Sequence, residues 1–490
     1  MRKSGVLLHI SSLPSPWGIG SLGAEAEKFI DFLAESGQSF WQVLPLSPTG
    51  YGDSPYQSYS SYAGNPYFID LDVLSEWGLL EKHEYCAIDW GNEPERVDFR
   101  FLYENRFKVL RKAAERLIKS ENHDFENFCR REALWLDDYA LFMALKDSHG
   151  GASWYDWERP LRFREESALS AAAYELRSDI EFYKAIQYLF FRQWSILKDH
   201  SAKKGISIIG DLPIYVAPDS VEIWANPNLF LLDCDLKPTE IAGCPPDCYA
   251  TTGQLWGNPL YNWEEMKKDS YAWWLSRIRR QFELFDVLRI DHFRGFDEFY
   301  SIPYGSETAE HGVWRKGPGM ELFKAVKHEL GEKAIIAEDL GFLNESVRKL
   351  LHDSGYPGMK VLQFAFESLA DNDYLPHNYP RNCVAYTSTH DNNTTLGWLS
   401  SVPEDERKRA FEYMRIRENE SSAKAAICAV WGSVAELSIT TMQDLLELGA
   451  EARLNTPGTS VGNWQWRMKP NADLSELSSW LLHITKLYGR

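Results

Sequence analysis

The stretch VLLHISSLPSPWGIGSLG, residues 6–23, admits two readings that lead to different α/β folds. Its glycines, Gly18, Gly20 and Gly23, spell G-x-G-x-x-G between an apolar run and the helix-patterned AEAEKFIDFLAESG (24–37). A dinucleotide site needs the strand to run straight into the glycine turn, with the pyrophosphate on the helix N-terminus. Here SSLPSPW (11–17) intervenes, and Pro14 and Pro16 make it a loop. The ribose would also need an acid at the end of the next strand. That strand, FWQVLPLSP (40–48), ends in Pro45, Leu46 and Ser47. The glycines therefore read as a βα loop that binds no nucleotide, and the other strands must decide the fold.

Seven further runs resemble VLLHI. They are FWQVLPL (40–46), ISIIGDLPI (206–214), VLRIDHF (287–293), AIIAEDLG (334–341), MKVLQFAF (359–366), CVAYTSTHD (383–391) and SVAELSI (433–439). Continuous apolar strands of this kind are buried on both faces, as in a parallel sheet. Helical stretches such as ELFKAVKHELG (321–331) and SVRKLLHDSG (346–355) alternate with them. Eight strands in alternation with helices predict an α/β fold of the TIM (β/α)8 barrel type, with a doubly wound sheet as the competitor. Residues 1–490 then form a single barrel with two large insertions. One (47–205, after strand 2) is mainly helical. The other (215–286, after strand 3) is rich in Pro, Gly and Trp. Both are expected to wall the mouth, where barrels place their active sites. About fifty residues follow the eighth strand, too few for a C-terminal β-sandwich of ~100 residues.

A formal net charge of −19 argues against a nucleic-acid partner, which needs a basic face. The twelve His show no metal-ligand spacing, so no metal is expected. Seven Cys, a low and odd count, point to a reducing compartment. Cys244 and Cys248 in GCPPDCY (243–249) are close enough for a local disulfide, with free thiols as the alternative. No run approaches the ~18 apolar residues of a membrane span. The N-terminal run is also too short for a signal peptide, so a cytoplasmic location is expected.

Three predicted strands end in acids: Asp291 in LRIDHFRG (288–295), Glu338 in AEDLG (337–341) and Asp391 in STHDN (388–392). Any one of them is compatible with a helix cap. Together at one mouth they suggest glycoside chemistry, which needs an ionised carboxylate nucleophile beside a protonated acid. Arg289 lies two residues before Asp291 and so on the same side of the strand, where its charge should keep Asp291 ionised. The apolar AIIA before Glu338 should raise that group. Asp391, with His390 and His292, could then hold sugar hydroxyls.

These motifs resemble those of the amylomaltases, the 4-α-glucanotransferase or disproportionating-enzyme family of the α-amylase clan. HISSLPSPWGIGSLG (9–23), VLPLSPTGYGDSPYQ (43–57), GDLPIYV (210–216), GQLWGNPLYNW (253–263) and TPGTSVGNWQWR (456–467) match it as well. The resemblance spans nearly the whole chain. It implies transfer of α-1,4-glucan segments without a cofactor, with Asp291 as nucleophile, Glu338 as acid/base and Asp391 as transition-state stabiliser. It also implies that Tyr56, Asp211, Trp256, Arg289, Phe364, His390 and Asn463 surround the substrate. Ser54 and His292 join them as polar groups of the same segments. Maltooligosaccharides and starch or glycogen fragments are the expected partners; oligomeric state is left open. The family carries apolar or aromatic residues where this chain has Cys244 and Cys248, which bears on acceptor binding. The competing functions are an α-1,4-glucan hydrolase of the same clan and, in another class, a non-catalytic glucan-binding regulator.

Overall fold

The computed structural model describes residues 2–490 apart from 247–250, 342, 369–370, 418 and 460. Cys248, half of the possible disulfide, lies outside the described residues.

Each of the eight apolar runs carries a barrel strand. In chain order, counting four strands of a second sheet, the strands are β1 (Lys3–Leu7), β2 (Phe40–Gln42), β3 (Ser207–Leu212), β4 (Glu240–Cys244), β5 (Gln254–Pro259) and β6 (Val287–Ile290). They continue with β7 (Glu298–Pro303), β8 (Val313–Lys316), β9 (Ile335–Ala337), β10 (Gly358–Val361), β11 (Cys383–Tyr386) and β12 (Leu437–Thr441). The order β10-β11-β12-β1-β2-β3-β6-β9 is parallel throughout. The ring closes between its ends, where Ala337 N–H donates to the Pro357 carbonyl at 2.9 Å. Beside that seam the Asp339 carboxylate accepts from Met359 N–H at 2.6 Å. The chain forms a TIM barrel, and the doubly wound alternative falls.

Leu7, Ile209, Ile336, Met359, Val361, Val384, Tyr386 and Ile439 fill the barrel interior. At its N-terminal end, Arg490 donates to the carbonyls of Lys3 (3.0 Å), Trp431 (2.8 Å), Ser433 (3.1 Å) and Ala435 (3.0 Å). One side chain thus ties the start of β1 to the segment that leads into β12.

Between β2 and β3 the chain is mainly helical. The long helix Arg177–Lys203 runs beside the loop that follows β2 and grips it twice. Gln187 accepts from Gly64 N–H (2.7 Å) and donates to its carbonyl (2.9 Å). Gln193 does the same at Asp70 (2.7 and 3.0 Å). Between β3 and β6 lie β4 and β5, which join β7 and β8 in an antiparallel sheet of order β5-β4-β7-β8. No apolar run in the sequence pointed to this sheet. Its strands are short, β8 is exposed along its length, and β4 finds β7 only through tertiary contact.

The first loop owes its glycines to packing. A Cβ on Gly20 would lie 1.9 Å from the Ile10 carbonyl oxygen, and one on Gly23 would lie 2.3 Å from an Asp70 carboxylate oxygen. Among the described residues no helix is long and apolar enough to cross a membrane.

Candidate active site

The register of β3 against β6 sets Asp211 opposite Arg289. Both side chains are fully buried, and one guanidinium nitrogen contacts both Asp211 carboxylate oxygens, at 2.7 and 2.6 Å. The same nitrogen reaches Asp291 Oδ1 at 3.1 Å. Arg289 and Asp291 thus share one side of the chain, as residues two apart on a strand must.

Glu338 follows β9. Its two oxygens accept backbone N–H groups from His292 (2.7 Å) and Leu340 (2.8 Å). His292 achieves this in the left-handed region, at φ 46° and ψ 51°. A non-glycine residue pays strain there, and such strain collects at functional sites. Burial, followed by the charge of Arg294, pushes the His292 imidazole down to about 3, so it stays neutral. The Trp256 ring meets it edge-on, 4.8 Å between centroids.

Asp391 lies past the end of β11. Its Oδ1 accepts from Asn455 at 2.6 Å, its Oδ2 lies 3.3 Å from His390 Nε2, and Arg453 donates to its carbonyl at 2.7 Å. Burial works against its charge, but His390, Asn455 and Arg289 outweigh burial and hold Asp391 at about 2. In return, despite its own burial, His390 is raised by Asp391. Tyr56 stacks on His390 with rings 5.2 Å apart and 13° from parallel. The Tyr56 hydroxyl lies 2.9 Å from both Asp211 Oδ2 and His390 Nε2. Asp211, Arg289, Asp291, Tyr56, His390 and Asp391 therefore form one connected network.

The protonation pattern differs from the sequence expectation. Asp291 is pushed up to about 7, by burial first and then by Asp211, Glu338 and Asp391, against the pull of Arg289. Arg289 divides its charge between two carboxylates and cannot hold Asp291 down alone. Burial also raises Glu338, against the opposing effects of Arg289 and its two amide donors. Two raised, interacting acids titrate as a pair rather than as individuals.

Ser54, Asn463 and Phe364 stand apart from this network. The Ser54 hydroxyl accepts from Tyr56 N–H at 3.2 Å, so it shapes the turn that presents Tyr56. The Asn463 amide spans its own loop, donating to the Thr459 carbonyl (2.9 Å) and accepting from Thr456 N–H (3.0 Å). It holds the segment that delivers Trp464, whose ring lies 6.0 Å from Tyr56. Phe364 follows β10 and meets Tyr374 edge-on at 5.5 Å. Sequence reasoning passed over Asn455 and Arg453, which lie more than sixty residues from Asp391 with no spacing to connect them. It also passed over His9, whose Nδ1 accepts from Leu44 N–H at 3.3 Å and which burial, followed by His390, lowers to about 3. His9 did carry a signal, a polar residue inside an apolar strand run. Among the described residues no cluster of His, Cys, Asp and Glu could hold a metal ion.

The sequence pattern of the 4-alpha-glucanotransferases matches residues 8–474. The chain belongs to the 4-alpha-glucanotransferase family. The 4-alpha-glucanotransferase of Clostridium butyricum is 47% identical over 99% of this chain and 100% of its own. The chloroplastic/amyloplastic 4-alpha-glucanotransferase of Solanum tuberosum is 42% identical over 100% of this chain and 86% of its own. Among solved structures, the amylomaltase of Streptococcus agalactiae in complex with acarbose superposes over both full chains with a TM-score of 0.98 at 43% identity. The chain is accordingly a glycosyltransferase of this family, with an amylomaltase among its structural relatives.

Proposed function

We propose that the enzyme moves α-1,4-glucan segments by double displacement through a covalent glycosyl–Asp291 intermediate. The observation that carries this reading is the convergence of Asp291, Glu338 and Asp391, from three strand ends, on the Arg289 network. In the first half-reaction Asp291 Oδ attacks the anomeric carbon of the donor. Glu338 gives its proton to the glycosidic oxygen, and the reducing-end fragment leaves. In the second, Glu338 takes the proton of an acceptor 4-hydroxyl, whose oxygen displaces Asp291 with retention. Transfer rather than hydrolysis follows when sugar, not water, fills the acceptor position.

The reaction needs the proton of the coupled pair on Glu338 and the charge on Asp291. Arg289, 3.1 Å from Asp291, favours that arrangement. A donor glycosidic oxygen beside Glu338 adds the acceptor that draws the proton there. Asp391, held ionised, stabilises the oxocarbenium-like transition state electrostatically. Tyr56, Trp256, His292, His390 and Phe364 line the sugar path, Asp211 and Arg289 set its charge, and Ser54 and Asn463 shape the loops around it. The segments 47–205 and 215–286 wall the groove. The amylomaltase bound to acarbose supports a glucan as the ligand.

Incubation with maltotriose alone, with products resolved by chain length, tests the reading. Glucose plus a ladder of longer maltodextrins is expected. Asp291→Asn and Glu338→Gln should each lower turnover by at least about 10³-fold. Formation of only shorter sugars would establish the hydrolase instead, and near-normal turnover in either variant would remove the role given to that residue.

A further inference from the structure

Asp444 is the third residue of the short helix Met442–Leu445 after β12, which Thr441 caps, and is fully buried. Its Oδ2 accepts the hydroxyls of Thr387 and Ser388, each at 2.7 Å. Its Oδ1 accepts Thr395 N–H at 2.6 Å. The two hydroxyls also meet their counterparts on the neighbouring strand end, Thr387 with Thr440 (3.0 Å) and Ser388 with Thr441 (3.2 Å). One carboxylate therefore pins both ends of residues 387–395. That segment runs from the end of β11 to the helix Thr395–Ser401, and between its pinned ends it carries His390 and Asp391.

A buried carboxylate is a costly way to join two strands, since burying its charge is unfavourable and apolar packing would serve stability as well. What this one supplies is position. Asp391 is held from the far side by Asn455 and Arg453. Without a fixed base, those two contacts would not set where its Oδ2, 3.3 Å from His390 Nε2, points. We infer that Asp444 is a positioning residue for glucan transfer, fixing the 387–395 turn so that Asp391 and His390 meet the transition state in the required place. The inference rests on the role proposed for Asp391. Asp444 touches no substrate itself, so its effect is on turnover more than on ground-state binding.

The test measures kcat, KM and Tm with maltotriose for four variants, assayed well below every Tm. Asp444→Ala should lose about 10²-fold in kcat, the scale of a misplaced catalytic group, with KM changed by less than about threefold. Asp444→Asn keeps an acceptor for Thr395 N–H and a polar partner for the two hydroxyls, so it should recover most of that loss. Arg490→Ala, at the opposite end of the barrel, should lower Tm with kcat unchanged. Asp391→Asn should lose more than Asp444→Ala. If Asp444→Ala lowers Tm but keeps its kcat as Arg490→Ala does, positioning is overturned while the role of Asp391 stands. If Asp391→Asn turns over normally, the reading of the site fails first and the inference goes with it. If Asp444→Ala does not fold, Thr387→Val combined with Ser388→Ala severs two of the three links. Full turnover in that variant also overturns the inference.

Discussion

Arg289 serves two carboxylates at once, and that division governs Asp291. Asp211 receives two contacts from the guanidinium and Asp291 one, so burial and three neighbouring acids carry Asp291 to about 7. In the unfolded chain the same group titrates near the ordinary aspartate range, about 3.9. Between those values the folded state binds more protons than the unfolded one, so stability falls as pH rises through the window. Above about 7 the full cost is present. Asp291→Asn should therefore stabilise the fold by about 1–2 kcal/mol at pH 8 and by much less at pH 4, measured as paired denaturant melts. Equal gains at both pH values would show that the effect is not electrostatic. The sequence made the neighbourhood of Arg289 and Asp291 legible, because residues two apart on a strand share a side. It could not show that Asp211, nearly eighty residues earlier, competes for the same guanidinium.

At the scale of elements, the barrel strands were readable because each is a short apolar run with helix-patterned sequence between. The antiparallel sheet was not, because its strands are short, β8 is exposed along its length, and β7 takes its place in a sheet only by pairing with β4 and β8. The loop after β2 shows the same dependence. It presents Tyr56 to the site, yet its backbone is held from the helix Arg177–Lys203 by Gln187 and Gln193. Gln187→Ala leaves the N–H and the carbonyl of Gly64 buried without these partners, at a cost of about 1–3 kcal/mol. The expected result is faster hydrogen exchange in a peptide spanning residues 60–66, with a raised KM for maltotriose. Unchanged exchange there would mean that the loop holds itself.

Over the whole molecule, both ends of the described chain meet beneath the barrel. Arg490 donates to five carbonyls around the entry to β1 and β12, those of Lys3, Val430, Trp431, Ser433 and Ala435, positions separated by more than four hundred residues. Hydrogen bonds from a charged donor contribute about 1.5–3 kcal/mol each when isolated, but solvent at this rim and shared geometry reduce the sum. Arg490→Ala should cost about 1–3 kcal/mol in a denaturant melt without altering product distribution from maltotriose. A change in that distribution would tie the bottom of the barrel to the mouth. The sequence by itself determined the eight barrel strands, their parallel and buried character, and the acids at their ends, since apolar periodicity and residue chemistry are local properties of the chain. Only the tertiary structure decided that burial raises both Asp291 and Glu338, which glutamines hold the loop after β2 and which carboxylate pins the ends of residues 387–395. Those depend on distances between residues far apart in sequence, and burial and electrostatics act through distance in space.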